Sequence, residues 1–77
     1  MKEIHGLRLI KLGDFIKEVR QSKNYTQQVL SELADIDIRT LQRIEKGQLN
    51  LSLNIFIAII NALELDATYV IQKVTVG

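Results

Sequence analysis

Apolar residues recur three and four positions apart through most of this chain, the spacing of helices that turn one face to a core. The first such stretch runs from Leu9 to Ser22, with Leu9, Leu12, Phe15, Ile16 and Val19 on the apolar face. It stops near Lys23 and Asn24. Thr26 follows as a predicted N-cap, because its hydroxyl can accept from a free amide of the next turn. It opens a short helix, Gln27 to Ala34, that buries Leu30 and Ala34. Asp35, Ile36 and Asp37 then make a tight turn. Asp35 tolerates a left-handed conformation there, and Asp37 caps a third helix, Ile38 to Lys46. Gly47 suits the left-handed position just past that helix.

A polar loop, Gln48 to Leu51, leads to Ser52 as the cap of a fourth helix, Leu53 to Leu63. This helix is apolar nearly all round, which predicts cover from outside the monomer. The tail, Ala67 to Val76, is rich in β-branched residues and partly alternating, which predicts a strand. A lone strand needs a partner for its backbone groups, and a second copy supplies one across a dimer axis. Thr68, Tyr69, Val70 and Ile71 are the expected pairing residues, with a fifth helix as the alternative. The expected fold is therefore all-α, four helices followed by a C-terminal β-strand, in one domain spanning 1–77 with its core at 9–65 and its dimer strand at 67–76.

Composition narrows the function. The chain has 77 residues and no cysteine, so disulfides and thiolate metal sites are excluded. A core of this size supplies about 3 to 5 kcal/mol, which makes close packing and a second subunit the expected sources of stability. The single histidine, His5, has no carboxylate cluster beside it, so neither metal nor cofactor is expected. No Ser/His/Asp or Cys/His set and no phosphate loop is present, and an enzyme is not expected. No apolar run reaches the roughly 18 residues of a membrane span, and the N-terminus lacks a signal-like apolar segment. A cytoplasmic protein without membrane contact is the expectation. Net charge is only +1, but residues 1–24 carry a balance of +3 and the remainder −2. A DNA-binding surface would therefore depend on aimed side chains and helix ends.

Two short helices joined by a three-residue turn, the second polar on its outer face, describe a helix-turn-helix unit. Ile36, Leu41 and Ile44 hold the third helix, leaving its outward residues free to enter a groove about 12 Å wide. Thr26 and Gln27 start the second helix, where free amides and the positive dipole end favour a phosphate.

From Leu12-Gly13 through Leu65, about 54 of 77 residues, the chain resembles the DNA-binding domain of the lambda and 434 repressor, Cro and XRE family. The matching residues are Leu12-Gly13, Ile16 and Arg20; Tyr25-Thr26-Gln27 with Leu30 and Ala34; Ile36-Asp37; Thr40-Leu41; Ile44-Glu45-Lys46-Gly47; and Asn50-Leu51-Ser52-Leu53 with Ala62-Leu63. The resemblance implies base reading by Ile38, Arg39, Gln42 and Arg43 and phosphate contact by Thr26, Gln27, Lys46, Gln48 and Asn50. It also implies a structural ion pair between Arg20 and Glu45. The chain departs from the family pattern at Asp35, where glycine is usual, at Ser31, where alanine is usual, and at Leu51, where proline is common. Val29 stands where Glu often completes a capping box. With Leu33 one turn later, Val29 either packs on Ile4 and Leu7 or contacts another protein.

Ala62-Leu63-Glu64-Leu65 followed by a strand is also similar to the HipB-like antitoxins, which repress their own operon and bind a toxin. Three functions follow. The first is a dimeric repressor on double-stranded DNA at a pseudo-palindromic operator. The second is an antitoxin that also captures a partner protein. The third is an adaptor that makes protein contacts alone, in which Arg39 and Arg43 form an ordinary solvated face.

Overall fold

The computed structural model describes residues 2–48 and 51–75, with side chains from Leu7 onward. Among these residues the order of elements is α1 (Lys2–Ser22), α2 (Gln27–Ala34), α3 (Ile38–Glu45), α4 (Leu53–Ala62) and α5 (Ala67–Thr75). Local chemistry explains the boundaries. Thr26 Oγ1 accepts from the Val29 amide at 3.1 Å, Asp37 Oδ1 from Arg39 at 3.2 Å and Ser52 Oγ from Ile55 at 3.2 Å. Each satisfies a donor that the first helical turn would leave free. At the opposite ends, Asp35 ends α2 in the left-handed region at φ 55° and ψ 47°, and Gly47 follows α3 at φ 71°.

The core gathers Ile16 of α1, Leu30 and Ala34 of α2, Leu41 and Ile44 of α3, and Ile59 of α4 with Leu63 just beyond it. Helix α1 packs on α3 and α5, while α2 packs on α3 and α4. Glycine sets how closely α1 and α3 approach. A Cβ on Gly13 would collide with the Ile44 carbonyl oxygen and lie 2.9 Å from that of Glu45. Gly47 is doubly constrained, since beyond its positive φ a Cβ there would lie 2.8 Å from Ile10 Cα. Helix α1 begins at Lys2 rather than the expected Leu9, because no proline breaks the preceding residues.

The C-terminal strand is not observed. Thr68, Tyr69, Val70 and Ile71 lie within α5, so the expected fold of four helices and a strand is corrected to a five-helix arrangement among the described residues. Asp66 supplies the cap that the sequence reading lacked: its Oδ2 accepts from the Tyr69 amide at 3.1 Å. Ala67, Val70, Ile71 and Val74 are also spaced i, i+3, i+4 and i+7, so the segment has a helical stripe despite its β-branched content. Packing on α1 selects the helix. Val70 is buried, and the Phe15 and Tyr69 rings meet with centroids 6.1 Å apart at 60°, a favourable tilted geometry. Lys73 Nζ lies 5.6 Å from the Tyr69 ring centroid, close enough for a cation–π attraction.

Helix α4 is partly covered from within the chain. Ile59 and Ile60 are buried, whereas Leu53 is 70% exposed and Ile57 42%. Val29 and Leu33 are exposed as well, and so is Leu7; the side chain of Ile4, the other expected partner of Val29 and Leu33, lies outside the described residues, as does that of His5.

Candidate nucleic-acid interface

Helix α3 divides cleanly into two faces. Leu41, Ile44 and Glu45 are buried, while Arg39, Arg43 and Lys46 are exposed and Ile38 and Gln42 are half-buried at the margin. The inward face carries two aliphatic side chains and one carboxylate, and the carboxylate is held by an ion pair with α1. Arg20 Nε donates to Glu45 Oε2 at 2.7 Å and Nη2 to Oε1 at 3.0 Å, while Nη1 donates to the Tyr25 carbonyl at 2.8 Å. Arg20 and Glu45 are only 7% and 6% exposed. This fork-on-fork geometry satisfies a buried charge at both ends, and among the described residues no buried side-chain polar atom lacks a partner. One guanidinium thus ties the end of α3 to α1 and to the turn before α2.

The network continues outward. Gln27 Nε2 donates to Glu45 Oε1 at 3.1 Å, and Gln42 Nε2 donates to Gln27 Oε1 at 3.4 Å. Gln27, assigned above to phosphate, is therefore engaged through both ends of its carboxamide, and Gln42, assigned to bases, is one of its partners. The amides at the start of α2 stand beside Thr26, which is exposed. Gln48 is exposed, with its amide donating to the Arg43 carbonyl at 2.9 Å, and Asn50 lies outside the described residues. Thr68, Tyr69, Val70 and Ile71 belong to α5, which packs on α1. Among the described residues no cluster of His, Cys, Asp and Glu could hold a metal ion, and no single helix is long and apolar enough to cross a membrane.

Comparison with known proteins matches this arrangement. The family model described as helix-turn-helix aligns with residues 16–70, from mid-α1 into α5. The chain belongs to the helix-turn-helix family. Among solved structures, the restriction-modification controller protein C.AhdI from Aeromonas hydrophila superposes with a TM-score of 0.77 at 29% identity, covering 80% of this chain and 94% of that one. Wild-type controller protein C.Esp1396I has a TM-score of 0.78 at 25% identity over 87% of each chain. The clp gene regulator ClgR from C. glutamicum shares the fold, with a TM-score of 0.82 at 22% identity over 88% of this chain and 87% of that one. No curated protein matched by sequence.

Membership of the helix-turn-helix family, with the fold shared by these regulators, makes the chain a DNA-binding transcriptional regulator. Two features of its interface escaped the sequence reading. The bridge from Glu45 through Gln27 to Gln42 joins residues 15 and 18 positions apart, and no local pattern announces it. The close approach at Gly13 had a signal, a glycine in mid-helix where alanine would be favoured, but its cause lies in α3.

Proposed function

We propose that this regulator is a homodimeric repressor whose two α3 helices enter successive major grooves about 34 Å apart on a pseudo-palindromic operator. The observation that carries the reading is the division of α3 into a clamped inner face and an outer face bearing Arg39, Gln42, Arg43 and the half-buried Ile38. Arg39 or Arg43 takes a guanine edge bidentately, Gln42 an adenine, and Ile38 a thymine methyl. Thr26 with the first amides of α2, together with Lys46, Gln48 and Asn50, contacts phosphate. Exposed Leu53 and Ile57 on α4, with Tyr69 and Ile71 on α5, are apolar surface suited to a second copy.

The similarity to restriction-modification controller proteins supports control of gene expression and makes the neighbouring genes the first place to seek a target. The antitoxin reading loses its structural motive, because the segment after Ala62-Leu63-Glu64-Leu65 is helical.

The test is a mobility-shift assay on genomic fragments at several salt concentrations, with the wild type and Arg43→Ala. A steep salt slope is expected for the wild type. Arg43→Ala should lose about 1 to 3 kcal/mol at one base pair and relax specificity there. Equal weakening on every sequence would overturn the base-reading assignment, and a shallow salt slope would favour an adaptor that does not bind DNA.

A further inference from the structure

We infer, resting on the assignment of Gln42 to a base edge, that Gln27 is a specificity-determining positioning residue: it passes the orientation of the buried Glu45 carboxylate to the Gln42 carboxamide. The chemistry of the three groups dictates the direction. Glu45 is clamped by two donors of Arg20, at 2.7 and 3.0 Å, and an ionised carboxylate only accepts. Gln27 must therefore turn its amide nitrogen inward, as it does at 3.1 Å from Glu45 Oε1. Its oxygen is left facing outward.

That oxygen can only accept, so Gln42 must present a nitrogen to it, at 3.4 Å. Each carboxamide has two distinguishable ends, and reversing either one would place oxygen against oxygen or nitrogen against nitrogen. With the N–H anti to its oxygen turned to Gln27, Gln42 keeps Oε1 and the syn N–H together on the other edge of the planar group. Those are the acceptor and donor that pair with adenine N6 and N7. Without Gln27, Gln42 gains rotamers and the reversed carboxamide, and the single hydrogen-bonding pattern it offers the groove is lost.

The relay predicts non-additivity. Wild type, Gln27→Met, Gln42→Ala and the double variant are each used to select from a pool of randomised duplex DNA, and binding is measured on the selected duplex and its single-base variants. Methionine keeps the chain length and helix propensity of Gln27 while removing both polar ends, and thermal melting reports whether each variant folds. Gln42→Ala should abolish discrimination at one base pair, normally about 5- to 150-fold for a good bidentate contact. Gln27→Met should lose most of the same discrimination at the same base pair, and the double variant should lose no more than Gln42→Ala. If Gln27→Met weakens all duplexes alike and keeps that preference, Gln27 is only a phosphate contact and the relay is refuted. If Gln42→Ala changes preference at no position, the base assignment fails, and the relay with it.

Discussion

Replacing Arg20 with methionine tests the physical reasoning most severely, because one side chain holds three acceptors. The substitution keeps much of the aliphatic stem but removes both bonds to Glu45 and the bond to the Tyr25 carbonyl. Glu45 is 6% exposed, so water cannot readily replace what is lost, and Gln27 is left as its one remaining side-chain donor among the described residues. Stranding one partner of a buried pair costs about 3 to 5 kcal/mol. The whole chain of 77 residues has a folding stability of about 4 to 12 kcal/mol. Arg20→Met should therefore lower the urea midpoint drastically or leave the protein unfolded, as read by far-ultraviolet circular dichroism. The double variant Arg20→Met with Glu45→Leu should recover much of the loss, because an apolar pair no longer buries a charge. Recovery should be incomplete, since the Tyr25 carbonyl still lacks its donor. A single-variant loss below about 1 kcal/mol, the value of a solvent-exposed ion pair, would show that the pair does not hold α3 in place.

Three further substitutions probe the fold that presents α3. Gly13→Ala should destabilise by about 1 to 3 kcal/mol, even though alanine is the better helix former, because the atoms in the way are carbonyl oxygens of α3; a raised melting temperature would refute the close approach. Asp35→Gly should stabilise by about 0.5 to 1 kcal/mol by relieving a left-handed non-glycine residue, and chemical denaturation would measure the gain. Asp66→Ala should cost about 1 kcal/mol as a lost N-cap and lower the melting temperature by about 4 to 8 °C; an unchanged melt would mean that the cap does not stabilise α5.

What the sequence determined by itself was whatever depends on near neighbours in the chain. Thr26, Asp37 and Ser52 cap helices within three residues of themselves. Asp35 and Gly47 turn the chain through their own backbone preferences. The period of Leu30, Ala34, Leu41 and Ile44 specified which faces are buried, and with them the helix-turn-helix unit and the outward face of α3. The Arg20 to Glu45 pair was reached only through family resemblance, since nothing local links residues 25 apart.

Only the tertiary structure decided the rest. Val70 and its neighbours carry a β-branched composition and a helical stripe together, and a surface on α1 for Val70 and Tyr69 was needed to choose between them. The mid-helix glycine of α1 acquires its reason from two carbonyls of α3. The Gln27 carboxamide acquires its direction from a carboxylate 18 positions away. Propensity acts over one or two turns of chain, whereas packing and charge act through space, so these choices became legible only once the helices stood side by side.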